Sequence, residues 1–156
     1  NFDRIITDGT SIPVEPGSVD LVYSNQLMEH IHPDDAREQL TNIYKVLKPG
    51  GHYLCRTPNA LSGPHDISVY FDDEATGFHL KEYTYTELQD FFREIGFRKF
   101  RAIVGGRGIY LPFLVPLPFL RIIEASLRAL PIGLRKAIAR TYLFRFILNV
   151  QLLATK

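Results

Sequence analysis

The sequence predicts an α/β fold built on a parallel sheet, and three observations carry that expectation. Short apolar, β-branched stretches alternate with segments of helical periodicity as far as Val104. The stretch Val19–Tyr23, with Val19, Leu21, Val22 and Tyr23, reads as a strand buried on both faces, as parallel sheets require. It then breaks into Ser24-Asn25-Gln26, small polar residues placed where such a strand ends and a helix begins. In open α/β sheets, ligands bind just beyond the carboxyl ends of the strands.

Taken in order, Phe2–Thr7 reads as a short strand with Ile5 and Ile6 buried, ending at Asp8-Gly9-Thr10. Ser11–Gly17, with Pro13, Pro16 and Gly17, is a loop by its turn chemistry. After the Val19–Tyr23 strand, Ile31-His32-Pro33-Asp34-Asp35 opens a helix, with proline tolerated in the first turn and acids at the positive end of the dipole. Ala36, Leu40, Ile43 and Leu47 form its buried stripe, and Lys48-Pro49-Gly50-Gly51 stops it. Tyr53–Thr57 is the next strand, closed by Pro58-Asn59. The stretch from Asn59 to Tyr83 shows no periodicity and has the length of a lid or binding loop. Thr84-Tyr85-Thr86-Glu87 is a capping box opening a helix that buries Leu88, Phe91, Phe92 and Ile95 and stops at Gly96. Phe97–Val104 is a further strand. Ile109–Leu120 carries Pro112, Pro116 and Pro118, so it is neither a regular helix nor long enough to span a bilayer. Phe119–Leu130 is an amphipathic helix, with Leu120, Ile123, Leu127 and Leu130 on one side and Arg121, Glu124 and Arg128 on the other. Leu134–Phe144 is a second helix, and Phe146–Ala154 a closing strand.

At 156 residues the chain is one domain by length. Cys55 stands alone, which excludes an internal disulfide and a multi-cysteine zinc site and suits a reducing, cytoplasmic setting. Charge is distributed unevenly. Through Gly105 there are 10 Lys and Arg against 16 Asp and Glu; from Gly106 onward there are 8 against 1. Such asymmetry points to a separate environment or partner for the basic part.

Asp8-Gly9-Thr10 with Ile12-Pro13, Ser18-Val19-Asp20-Leu21-Val22, Glu29-His30 and Leu47-Lys48-Pro49-Gly50-Gly51 together resemble class I S-adenosylmethionine-dependent methyltransferases, of the small-molecule type near the quinone C-methyltransferases. The resemblance runs from about Phe2 to Val104 and resumes near Phe146. It implies a Rossmann-like sheet of strand order 3-2-1-4-5-7-6 with strand 7 antiparallel. This chain would begin at strand 3, as a truncated single domain (1–156) with strands 3, 4, 5, 6 and 7 and a basic, apolar helical insertion (107–145) between the last two. The glycine-rich loop after strand 1 and the acid that grips the ribose would then be missing. The resemblance also implies S-adenosyl-L-methionine as cofactor. Asp8 would accept a hydrogen bond from the adenine amino group, with the Gly9 and Thr10 backbone at the ring edge. Ser24, Asn25 and Gln26 would contact the methionine part, Leu27 and Met28 would cover the adenosine, and Glu29 and His30 would line the cleft.

Methyl transfer to a hydroxyl needs alignment and a base, and histidine titrates near neutral pH. His30, beside the expected cofactor site, and His79, in the long loop, are the catalytic candidates; His65 and His32 are weaker ones. No metal site is expected, since His65-Asp66 and Asp72-Asp73-Glu74 read as a charged surface loop. Nucleic-acid binding is not expected, because the basic region lacks an interleaved aromatic groove pattern. Region 107–145 fits an interfacial helix on an anionic membrane, a cap over an apolar acceptor, or an insertion packed on the core or in a homodimer interface. The expected activity is methylation, on oxygen or carbon, of a small acceptor, amphiphilic or carbohydrate-linked. The competing expectation is a non-catalytic binding or membrane-docking module on the same scaffold. A nicotinamide enzyme would need a Gly-x-Gly-x-x-Gly turn that is absent from the sequence.

Overall fold

A computed structural model describes residues 4–106 and 108–156. Strand β1 (Val19–Asn25) leads through helix α1 (Pro33–Val46) to β2 (Leu47–Thr57), which lies parallel to β1. Helix α2 (Tyr85–Ile95) and β3 (Lys99–Ala102) follow. A small ribbon, β4 (Gly105–Gly106) with β5 (Ile109–Tyr110), precedes β6 (Val115–Pro116). Helices α3 (Leu117–Arg128), α4 (Ile132–Ala139) and α5 (Tyr142–Leu148) come next, and β7 (Val150–Thr155) closes the chain. The main sheet has the order β1-β2-β7-β3-β6, with β7 antiparallel to both β2 and β3. The segment 4-5-7-6 of the expected order, with its antiparallel strand 7, is therefore present.

Local chemistry accounts for the element ends. Thr84 and Glu87 form the capping box reciprocally: the Glu87 N–H donates to Thr84 Oγ1 (3.2 Å) and the Thr84 N–H to Glu87 Oε2 (2.8 Å). Gly96 ends α2 at φ 126°, and a Cβ there would press on the Tyr44 ring at 3.1 Å. The core lies under one face of the sheet. Tyr53, Cys55, Val150, Leu152 and Ala154 point into it from β2 and β7, and Leu40, Ile43, Leu88 and Phe92 meet them from α1 and α2. Tyr53 stacks on Phe92 with ring centroids 5.2 Å apart. A satellite cluster of Leu61, Leu127, Ala139 and Leu148 seats the long loop on α3–α5.

Several expectations are corrected. Among the described residues of the first expected strand, 4–7 form no strand, and Ile6 is almost fully exposed; Phe2 lies outside the described residues. Among the described residues nothing pairs with residues 4–7 in a sheet, so the expected strand 3 is not formed there. β1 is not buried on both faces. It is the edge strand of the sheet, and Leu21 and Tyr23 are 55% and 54% exposed. Lys48-Pro49-Gly50-Gly51 does not precede β2 but interrupts it. The register jumps from Val19↔Leu47 to Leu21↔His52 because Pro49 cannot donate to the ladder and Gly50 sits at φ 79°. The strand expected over Phe97–Val104 is confined to Lys99–Ala102, and the helix expected from Phe119 begins at Leu117. The helix expected over Leu134–Phe144 breaks at Arg140-Thr141 into α4 and α5, and α5 carries Phe146–Leu148, so the closing strand starts only at Val150.

Candidate functional site

A cavity of about 630 Å³ opens where β1 and β2 end. Its floor is Gln26, Arg56, Pro58 and Asn59, and α4 and α5 wall it with Arg140, Tyr142, Arg145, Phe146 and Asn149. Gln26 takes the left-handed conformation at φ 53°, uncommon for a residue other than glycine, and its N–H donates to the Arg56 carbonyl at 2.8 Å. That bond ties the two strand tips together and turns the chain out at the cavity. Alternation along the strands decides which tip residues face which way. Ser24 pairs with Cys55 on the core side, whereas Asn25 pairs with Arg56 on the open side.

The loop from Pro58 to Tyr83 folds over the cavity and is organised by two carboxylates. Asp66 accepts from the N–H groups of Ser68 (3.0 Å) and His79 (3.0 Å). Burial pushes its carboxyl up, yet the bonds from His79, Ser68 and Phe78 outweigh that and hold it at about 2. Glu82 is 8% exposed and receives the His65 N–H (2.6 Å), His65 Nδ1 (3.0 Å) and His79 Nδ1 (2.7 Å). Burial raises its pKa, but those bonds more than offset it, so the carboxyl lies below its ordinary value. An ionised carboxylate can only accept. His79 therefore carries a proton on Nδ1 and turns Nε2 away from that carboxylate, while Ser62 Oγ lies 3.1 Å from His65 Nε2. A methyl group at Gly63 would collide with Glu82 Oε2, so glycine is required for this approach.

Among the expected catalytic residues, His30 and His79 are brought together, edge to face at 4.9 Å between centroids. The Glu29 carbonyl accepts from Leu80 and Lys81, which pins the loop to the turn Met28–His30. The Glu29 side chain is fully buried; it accepts from the Thr57 hydroxyl on Oε2 (2.8 Å), and its Oε1 has no partner among the described residues. Glu29, His30 and His79 each offer a ligand atom within 4.8 Å of the others, a donor set that the sequence did not lead one to expect.

The expected cofactor residues are divided. Gln26 lines the cavity and Asn25 is exposed beside it. Ser24 is turned inward, its hydroxyl 2.8 Å from Tyr53 Oη, and Met28 is fully buried in the core, so neither side chain reaches the cavity. Asp8, Gly9 and Thr10 are not among its lining residues. The carbonyls of Gly9 and Thr10 accept from Gln39 and Asn42 of α1. The Asp8 carboxylate accepts from the Ser11 N–H (2.7 Å), the Ser11 hydroxyl and the Thr10 N–H, which hold its pKa at about 2.

Sequence reasoning missed Arg56, Arg140, Arg145 and Glu82. The spacing of His65, His79 and Glu82 has no regular period, so only the folded loop unites them. It also placed Glu124 on a solvent face. The residue is 1% exposed and caps α2 from α3, accepting from Asn59 Nδ2 (3.1 Å), the Tyr85 N–H (2.7 Å) and the Thr86 N–H (3.0 Å).

Comparison with known proteins bears on this site. Residues 2–55 match a family model described as a methyltransferase domain. Over 86 residues the chain is 31% identical to a probable S-adenosylmethionine-dependent methyltransferase of Mycolicibacterium smegmatis, covering 55% of this chain and 31% of that protein. Over 58 residues it is 36% identical to phosphoethanolamine N-methyltransferase 1 of Triticum aestivum, covering 36% of this chain and 12% of the relative. The chain thus spans a third or less of the length of these relatives. The crystal structure of a SAM-dependent methyltransferase from Archaeoglobus fulgidus superposes with a TM-score of 0.58 at 19% identity, covering 97% of this chain and 66% of that one.

Proposed function

We propose that this chain, whose fold is that of the class I S-adenosylmethionine-dependent methyltransferases and whose residues 2–55 match their domain model, serves methyl transfer from S-adenosylmethionine to a small acceptor. The observation that carries this reading is the shared ending of parallel strands β1 and β2 beneath a cavity, with Gln26 and Arg56 at their tips.

The residues present fit parts of the cofactor. Asn25 and Gln26 offer amide donors and acceptors, the chemistry an amino-acid end needs. Exposed Asp8, ionised across the neutral range, can accept from an exocyclic amine. When bound, S-adenosylmethionine supplies an electrophilic methyl group. The chain's own part is to hold the acceptor in line, an alignment worth at most roughly 7–11 kcal/mol, and to take a proton. His79 Nε2, fixed by Glu82, is the acceptor for that proton, with His30 beside it; a positioned base contributes about 10²–10⁴-fold.

The acceptor we favour is amphiphilic or carbohydrate-linked and methylated on oxygen or carbon. Supporting this are the apolar side chains that α3 and α5 leave in the open, with Phe119 60% and Tyr142 62% exposed beside Arg121 and Arg145. No helix among the described residues is long and apolar enough to cross a membrane, so contact with an anionic bilayer would be at its surface.

Isothermal titration of S-adenosylmethionine into the chain and into the product of its natural gene tests the reading. Binding by the gene product, together with transfer of labelled methyl, is the expected result. Absence of binding by both leaves the non-catalytic docking module as the function of the scaffold.

A further inference from the structure

The cavity's charge is one-sided. Arg56, Arg140 and Arg145 line it together with His65 and His79, and no aspartate or glutamate is among the lining residues. Glu82 lies behind the two histidines and is occupied by them, and Glu29, which accepts from Thr57, offers a carboxylate oxygen within 4.8 Å of His79. The three guanidiniums are held differently. Arg140 is anchored by the Pro58–Tyr83 loop, donating from Nε to the Ser62 carbonyl (3.1 Å) and from Nη2 to the Gly63 carbonyl (3.0 Å), which fixes the fork in place. Arg56 sits at the end of β2 with its Nε buried and without an acceptor among the described residues. Arg145 is exposed on α5, with no acceptor among the described residues.

Three cations line a cavity with no acid in its lining, and a buried N–H donor without an acceptor carries a desolvation cost. Both are relieved by a ligand that brings negative charge and several acceptor oxygens. A guanidinium fork matches phosphate and carboxylate oxygens bidentately. We propose that this cavity binds the anionic group, a phosphate or a carboxylate, of the molecule that is methylated. The inference rests on the methyltransferase reading for the words "that is methylated"; the anion site itself rests on the arginines. It narrows the acceptor class to acidic compounds, with Tyr142 and Phe146 at the wall to pack the apolar remainder.

The test is titration of inorganic phosphate and of malonate, separately and at low ionic strength, into the chain and into the product of its natural gene. Saturable binding of at least one anion is expected. Arg145→Gln and Arg56→Gln should each weaken it by roughly ten-fold or more, as for the loss of a charge-assisted hydrogen bond. Lys99→Gln, exposed on β3 outside the cavity, should leave it unchanged. Tighter phosphate assigns a phosphorylated acceptor, and tighter malonate a carboxylic one. Arg145 is exposed, so its variant remains folded and informative should Arg56→Gln unfold. No saturable binding of either anion, or binding that both arginine variants leave intact, overturns the proposal. S-adenosylmethionine is titrated in parallel. Arginine-dependent anion binding without cofactor binding would keep the anion site and remove the methyltransferase reading; the reverse pattern would do the opposite.

Discussion

Glu82 gathers a backbone N–H and two imidazoles onto one carboxylate, and Gly63 leaves the room for it to do so. Glu82→Gln removes the charge and half of the accepting capacity, so His79 loses its fixed tautomer. The expected outcome is a fall in methyl transfer of about 10²-fold or more, with imidazole resonances in NMR spectra showing the loss of a single tautomer; unchanged spectra would remove Glu82 from its positioning role. Gly63→Ala should give the same spectral change without altering any titrating group. Asp8 behaves differently, since its hydrogen bonds are made within an exposed loop. Asp8→Ala is expected to weaken S-adenosylmethionine binding with little change in melting temperature. Undiminished affinity would take Asp8 out of the cofactor site.

Two elements depend on particular carboxylates. Helix α2 is capped twice, by Glu87 from within and by Glu124 from α3. Glu124→Ala strands the Tyr85 and Thr86 N–H groups in a buried place, and thermal unfolding should report a loss of roughly 2–4 kcal/mol. The loop over the cavity depends on Asp66, whose pKa falls on folding from 3.8 to about 2. A carboxyl depressed in the folded state contributes stability that is complete above its unfolded pKa and is lost as pH drops through the folded one. Glu82 shifts in the same direction. The loop should therefore hold at pH 5 and release progressively from about pH 4 toward pH 2, which amide resonances of residues 66–82 would follow; release already at neutral pH would contradict it. These elements also show what could be read from the sequence. The capping box and the stripe of α1 were legible because both are local rules of spacing. The break at Arg140-Thr141 was not, because no proline or glycine marks it, and apolar residues continue past it into α5. Nor was the burial of Glu124 legible, since the N–H groups it serves lie 38 and 39 residues away.

Across the molecule, strand order was legible through resemblance, and β1, β2, β7 and β3 stand as expected. The cationic cavity was not, because Arg56 at the end of β2 lies 84 residues before Arg140 and further still before Arg145, and only the fold brings them to one wall. The basic run in α3–α5 that suggested a membrane supplies two of them. Liposomes containing anionic lipid should still bind the chain through the exposed Phe119 and Ile122 with their neighbouring arginines, and the binding should weaken as salt rises; salt-independent or absent binding counts against it. The edge position of β1 has a different consequence. Leu21 and Tyr23 stand beside a backbone ladder that is unpaired among the described residues, so the chain offers an apolar strand edge on which another strand can dock. Sedimentation of the purified chain should reveal reversible self-assembly that grows with concentration. Lysines at positions 21 and 23 should convert it into a monodisperse colloid, since charge on that row leaves a docking strand nothing greasy to lie against.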